Sequence, residues 1–147
     1  MNLIHVLPIM ECPAGASDGG YAVNDFRNIM PTAGTMEQLR AVAENLRKRD
    51  ILLTLDVVLN HTSNEHEWAK RALAGEKQYQ DYYYIYDDRT VPDMFEETMP
   101  EVFPQTAPGN FTFDERINKW VMTVFNEYQW DLNYSNPAVL IEMLDII

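Results

Sequence analysis

The run Ile51-Leu-Leu-Thr-Leu-Asp-Val-Val-Leu-Asn-His-Thr-Ser63 constrains the fold more than any other stretch of the chain. It opens as a continuous apolar segment of strand-forming residues, which reads as a β-strand covered on both faces, as in a parallel sheet. Asp56, Asn60 and His61 then appear in and just past its C-terminal end. Packing asks for none of these groups. A buried carboxylate without partners is costly, so Asp56 needs neighbours that bond it. In an α/β fold, a polar cluster at the C-terminal end of a strand lies where ligands bind. The plainer reading is that Asp56 caps a turn and His61 is a satisfied, partly buried histidine. Three polar groups gathered on one strand end favour the site.

The flanking sequence supplies a parallel partner. The apolar start, Met1 to Ile9, has neither a basic region nor a small-residue cleavage site, so it reads as a strand over Asn2 to Ile9 and not as a signal peptide. Met10 to Gly34 is a long loop holding Gly15, Gly19, Gly20 and Gly34. Thr35-Met-Glu-Gln38 has the spacing of a capping box, and Leu39, Val42, Ala43 and Leu46 come after it at helical intervals, predicting a helix that ends near Arg49-Asp50. Strand, helix and strand in this order make a parallel pair joined by a crossover.

After His61 a second helix is expected, capped by Thr62 or Ser63, with Trp68, Ala72 and Leu73 inward and Gly75 as its stop. His66 and Trp68 are read as helix residues with no catalytic part. Tyr79 to Asp131 is aromatic and broken by prolines. Its best strand candidates are Asp81 to Tyr86 and Trp120 to Phe125, and the tyrosines from Tyr82 to Tyr86 read as the core of a small subdomain. Asn136-Pro137 then opens a helix whose stripe is Leu140, Met143, Leu144 and Ile147. The loops after both strands exceed the usual connection of about 2–6 residues, which points to function in them. The last helix has no stop signal, so the chain reads as a truncated piece of a larger protein. Open strand edges then predict self-association of the chain alone.

Composition narrows the partners. Lys and Arg total 11 against 23 Asp and Glu, a net charge of -12, which argues against a nucleic-acid or anionic-membrane partner and suits a neutral substrate. No apolar run reaches the roughly 20 residues of a membrane span. The single Cys12 excludes an internal disulfide and makes no metal motif, which points to a cytoplasmic setting. Two further constellations carry chemistry. In Asp18-Gly-Gly-Tyr21 the glycines permit close backbone approach and the tyrosine offers a flat face for a sugar ring, though an ordinary turn beside a core tyrosine would look the same. Gln129-Trp-Asp-Leu-Asn133 can be a binding loop or a capped junction before the final helix.

These segments resemble the α-amylase superfamily of glycoside hydrolases. Asp56-Val-Val-Leu-Asn-His61 is similar to its first signature, at the end of the third strand of a (β/α)8 barrel. Gly20 to Ile29, with Pro31 and Gly34-Thr-Met36, looks like the segment after the second strand, and Gln129-Trp-Asp-Leu-Asn133 like the signature closing the inserted B subdomain. Within the superfamily, Ser17 to Val23, Asn60 to Trp68 and Phe125 with Gln129 to Pro137 look most like amylosucrases. The resemblance implies an α/β fold: part of a TIM barrel, about strands two and three, over residues 1–61, the B subdomain over 62–133, and the start of the next barrel helix over 134–147.

The resemblance also implies function. Amylosucrases move glucose from sucrose to an α-glucan and release fructose. Tyr21 would stack on the glucosyl ring, His61 would bond one of its hydroxyls, and Asp18 would help floor the pocket with an arginine from later in the barrel. Phe125 would line the pocket, and Asp56, Asn60 and Asp131 would support it. The family's mechanism is retaining, with a carboxylate nucleophile and a carboxylic acid about 5–5.5 Å apart. Both come from later strands, so the chain by itself is expected to be inactive and to need no cofactor. Asn60 and Asp131 match positions that bind calcium in many α-amylases, although amylosucrases do not depend on that ion. An α-glucosidase, sucrose hydrolase or α-amylase-type hydrolase is the near alternative. A non-catalytic carbohydrate-binding or interaction module is the distant one, and an Arg-x-Asp strand motif just downstream would separate it from an enzyme.

Overall fold

The structure is a computed structural model that describes residues 2–147; Met1, the first residue of the apolar start, lies outside the described residues. The chain divides into two compact units, Met1–Val58 and Leu59–Ile147.

The first unit holds the parallel pair. Strand β1 (Leu3–Val6) is shorter than the Asn2-to-Ile9 strand expected from the sequence, because Pro8 has no amide hydrogen to offer a ladder. The long loop after β1 is not wholly irregular, since β2 (Met10–Glu11) pairs antiparallel with β3 (Asp25–Ile29) across a register shift. The helix α1 (Met36–Arg47) starts where its capping box places it, with Thr35 Oγ1 accepting from Gln38 N at 3.2 Å and Gln38 Oε1 accepting from Thr35 N at 2.9 Å. Such a cap stabilises a helix by about 1 kcal/mol. Leu39, Ala43 and Leu46 turn their stripe inward and are half-buried, while Val42 stays 50% exposed.

Strand β4 (Leu52–Leu55) then runs parallel to β1, Leu3 opposite Leu52 and Val6 opposite Leu55. The expectation of a strand covered on both faces fails within this unit, where Leu52 is 63% exposed and Leu3 49%. A parallel strand needs packed layers on both sides, and here α1 is the helix that packs on β4.

The second unit is built on long-range β pairing. Strand β5 (His61–Ser63) pairs antiparallel with a strand from Gln129 to Asp131, setting His61 opposite Asp131 and Ser63 opposite Gln129. His61 therefore begins a new strand and does not close the apolar run. Helix α2 (Glu67–Leu73) is capped by His66, whose Nδ1 accepts from Trp68 N at 3.1 Å. Thr62 and Ser63, the expected caps, are committed to β5. Ala69 and Ala72 form its buried face, Gly75 ends it at φ 90°, and α3 (Lys77–Gln80) comes after it.

Of the expected strand from Asp81 to Tyr86 only β6 (Ile85–Tyr86) forms, and α4 (Thr90–Glu96) comes next. Strands β7 (Phe111–Asp114) and β8 (Lys119–Met122) make a three-stranded sheet in the order β6-β8-β7, so the second predicted strand, Trp120 to Phe125, sits one residue early and stops at Met122. Strand β9 (Gln129–Asp131) returns to β5.

Of the tyrosines expected in the core, Tyr82 and Tyr83 are 2% exposed, whereas Tyr84 and Tyr86 are half-buried; Trp130, 1% exposed, joins the core without having been expected there. Tyr83 meets Trp130 edge to face with centroids 5.4 Å apart, and its hydroxyl pairs with Thr62 Oγ1 at 2.8 Å, so burying the ring strands no polar atom. Helix α5 (Pro137–Ile146) is capped by Asn136, which accepts from Ala138 N at 3.1 Å. Its buried residues are Val139 and Met143; the rest of the predicted stripe, Leu140, Leu144 and Ile147, is exposed. The inward face is offset from the predicted one, a displacement that neighbours and not periodicity decide.

Candidate functional site

The residues singled out in the sequence fall into two constellations, one in each unit. Asp56 belongs to the first unit, whereas Asn60 and His61 belong to the second, so each group is described within its own unit.

In the first unit Asp56 lies directly after β4. Its Oδ1 lies 2.6 Å from His5 Nε2 and its Oδ2 accepts from the Tyr21 hydroxyl at 3.0 Å. The bond with His5 is the main cause that holds the carboxyl below its ordinary value, with Tyr21 assisting. The same bond to Asp56 is the chief reason that the Tyr21 phenol is raised, with burial and the nearby Asp18 charge adding to it. Tyr21 thus has its hydroxyl tied while the residue remains 38% exposed. The sequence alone does not single out His5, although it carries a signal: one histidine in an apolar strand, opposite Thr54 and so two residues short of Asp56 in register.

The local backbone delivers Tyr21. Asp18, Gly19 and Gly20 all have positive φ, 49°, 66° and 102°, in a tight 3-10 turn. At Gly20 an added Cβ would sit 2.7 Å from the Pro8 carbonyl oxygen, so the close approach of this loop to the chain leaving β1 requires glycine there.

In the second unit His61 is 3% exposed. Asn60 Nδ2 lies 3.2 Å from its Nδ1 and Gln129 Nε2 lies 3.0 Å from its Nε2. Phe125 backs the imidazole with ring centroids 5.0 Å apart. Asp131 accepts from Asn60 Nδ2 at 2.5 Å and, through its other oxygen, from the Val124 amide at 2.8 Å. Burial pushes the Asp131 carboxyl up to about 6 in spite of both donors. Asn60, His61, Phe125 and Asp131 are therefore brought together. Gln129 and Asn126, whose amide ends meet at 2.7 Å, join the cluster; the sequence marks Gln129 only as the start of the Gln129-to-Asn133 loop and does not pair it with His61, and it does not single out Asn126. A fully buried glutamine beside a strand pairing partner is the kind of polar group that needs a reason, but only the β5–β9 pairing reveals the reason.

Asn60 and Asp131 do not fit a calcium ion as they stand. The carboxylate's two oxygens already accept from Asn60 and Val124, whereas calcium gathers about 6–8 oxygen ligands. Among the described residues no group of three His, Cys, Asp or Glu side chains comes together. Nor is any helix among them long and apolar enough to cross a membrane.

A parallel strand–helix–strand unit, with a β-rich unit after it that carries its own core, is part of a (β/α)8-barrel catalytic domain; the two barrel strands present do not close into a barrel. The chain belongs to the alpha-amylase family, whose catalytic domain matches residues 1–147. It is 34% identical to glucosylglycerate phosphorylase of Spirochaeta thermophila, over 99% of this chain and 23% of that protein. It is 33% identical to Maltase 1 of Drosophila virilis, over 100% and 23%, and 31% identical to oligo-1,6-glucosidase of Parageobacillus thermoglucosidasius, over 100% and 25%. Among solved structures, an isomaltulose synthase mutant of Erwinia rhapontici NX5, in complex with its natural substrate sucrose, aligns at a TM-score of 0.85 and 29% identity, over 99% of this chain and 25% of that one. The chain spans about a quarter of the length of the relatives it matches.

Proposed function

We propose that the chain supplies sugar-holding residues to an α-retaining enzyme of its family that acts on glucosides. The observation that carries this reading is Tyr21, a partly exposed aromatic residue whose hydroxyl is pinned by Asp56. A ring fixed this way can stack on the apolar face of a glucosyl unit without losing much freedom on binding. His61 donates a hydrogen bond to a sugar hydroxyl, Asp18 helps floor the pocket, and Phe125 holds the imidazole plane. The nucleophile and the acid come from residues outside this chain, and Asp56, Asn60 and Asp131 act on their neighbours and not on the reacting atoms.

Among the reactions of the family we favour glucosyl transfer from sucrose to an α-glucan, supported by the amylosucrase-like stretches from Ser17 to Val23 and Asn60 to Trp68. Hydrolysis of an α-glucoside is the second reading, supported by the identity to Maltase 1 and oligo-1,6-glucosidase. The two differ in whether a sugar hydroxyl or water takes the glucosyl group from the enzyme. The lone thiol of Cys12 suits a cytoplasmic setting.

The full-length protein assayed on sucrose, with fructose, glucose and glucan measured separately, distinguishes them. Glucan formed with fructose supports transfer; glucose in step with fructose supports hydrolysis. In the same assay His61→Ala should lower turnover by about 10²-fold, as for other positioned hydrogen-bond donors. Unchanged turnover on both sucrose and aryl α-glucosides would refute the sugar-holding role.

A further inference from the structure

A cleft of about 360 Å³ opens in the second unit, lined by α3 with Asp81, by Tyr83 to Asp87 around β6, by Lys119 of β8 and by Asn133. That is the lower end of the range in which proteins hold small molecules, about 300–1,000 Å³. None of the residues given a sugar contact above lines it. Tyr84 and Tyr86 do, and they are the two tyrosines of the expected core that stay half-buried.

Strand geometry places the groups. Tyr84 and Tyr86 flank Ile85, so their side chains leave the chain on one face. Met122 N donates to the Tyr84 carbonyl at 2.9 Å, and Tyr86 pairs with Trp120. The next residues out, Asp87 and Lys119, then meet in an ion pair. On the other wall Lys77 of α3 bonds Asp81, one turn further on. The Tyr83 hydroxyl is paired with Thr62, whereas those of Tyr84 and Tyr86 bond none of the described residues.

Charge decides the ligand. The lining holds two lysines and two aspartates, and each lysine bonds one oxygen of its aspartate, Oδ1, leaving Oδ2. An anion would have to displace both carboxylates in a chain of net charge -12, and a cation both ammonium groups. An apolar ligand would cover the ion pairs and give nothing for the water they lose. A hydroxyl both donates and accepts. It can donate to the remaining aspartate oxygen while accepting from a second ammonium hydrogen, with neither pair broken.

We propose that this cleft is a binding site for a neutral sugar of one or two rings, whose hydroxyls bridge the Lys119–Asp87 and Lys77–Asp81 pairs and bond the Tyr84 and Tyr86 phenols. The inference stands on the lining alone. It holds whether or not Tyr21 and His61 contact a glucosyl unit.

Maltose is the probe, added to the ¹⁵N-labelled chain while amide correlation spectra are recorded. The expected result is a saturable shift of the Asp81, Tyr84, Asp87 and Lys119 amides with a Kd of about 1–10 mM, because hydrogen bonds open to water contribute little net energy. Asp87→Ala should weaken binding by about 10-fold, the effect of losing a charged hydrogen bond, and Tyr84→Phe by about 5-fold, that of losing a neutral one. The Asp87 side chain is 83% exposed, so its removal leaves the fold intact, and this variant carries the test if Tyr84→Phe does not fold. Equilibrium dialysis with radiolabelled maltose gives the same affinities where self-association broadens the spectra.

Shifts that never saturate, or that fall only outside the lining, overturn the proposal. So does Asp87→Ala binding maltose as tightly as the unaltered chain. Inorganic phosphate, titrated in parallel, should leave the lining amides where they are. If phosphate moves them at lower concentration than maltose does, the cleft is an anion site and the sugar assignment falls.

Discussion

Asp56 and Asp131 each receive two hydrogen bonds, and their carboxyls move in opposite directions. Asp56, met by His5 and Tyr21, is held below its ordinary value. Asp131, met by Asn60 and the Val124 amide, is raised to about 6. The number of donors does not separate them. Water does: the Asp56 side chain keeps 28% of its surface in solvent, whereas Asp131 is 5% exposed. Where solvent still reaches, a histidine partner is enough to favour the charge. Where it is excluded, two neutral donors are not.

The contrast can be broken most forcefully at Asp131. Asp131→Ala leaves the Asn60 amide and the Val124 N–H without their acceptor inside the second unit, and should cost about 3 kcal/mol. Trp68, Trp120 and Trp130, the chain's three tryptophans, all lie in that unit, so urea unfolding monitored by tryptophan fluorescence reads it alone. A loss below about 1 kcal/mol would mean that Asp131 is not the hub of this cluster.

Acid sharpens the comparison, with a smaller effect. A carboxyl raised from 3.8 to about 6 binds its proton more tightly folded than unfolded. Its unfavourable contribution is therefore present in full above pH 6 and fades as the pH drops toward 4. The second unit should gain roughly 2 kcal/mol from Asp131 between pH 7 and pH 4, measured as the difference from Asp131→Asn by the same fluorescence. Asp56 has the reverse sign: its stabilising contribution is present above 3.8 and is lost as the pH falls through its lowered value. A second unit that lost stability through the Asp131 carboxyl over this range would contradict the assignment.

The smallest expected effect is at Tyr21. Tyr21→Phe removes the lesser of the two donors to Asp56, so a carbon-detected carboxyl titration should show Asp56 moving part of the way back toward its ordinary value. Loss of the whole displacement would make the tyrosine, and not His5, the main partner.

These clusters were legible in the sequence to the extent that their signals are local. The capping box at Thr35 and Gln38 names both of its partners within four residues, and α1 starts where it says. Asp56 and His61 stood out because polar groups interrupt an apolar run. Their pairings were not legible, because His5 and Gln129 lie 51 and 68 residues away and are matched to them only through strand register. The cap of α2 was misplaced for the same reason. Thr62 and Ser63 are good cap residues in isolation, but pairing with Trp130 and Gln129 takes them into β5 and leaves the task to His66.

The crowding at Gly20 has a genetic consequence. Every missense change in a glycine codon introduces a Cβ. At residue 20 each such allele meets the Pro8 carbonyl oxygen at 2.7 Å in a left-handed conformation, while at Gly15 the same change meets nothing within 4 Å. A survey of all single-codon variants across this loop should therefore find residue 15 permissive and residue 20 closed, although both lie in one exposed-looking stretch of small residues. Tolerance to inherited change is here decided by a single carbonyl that the loop has to pass.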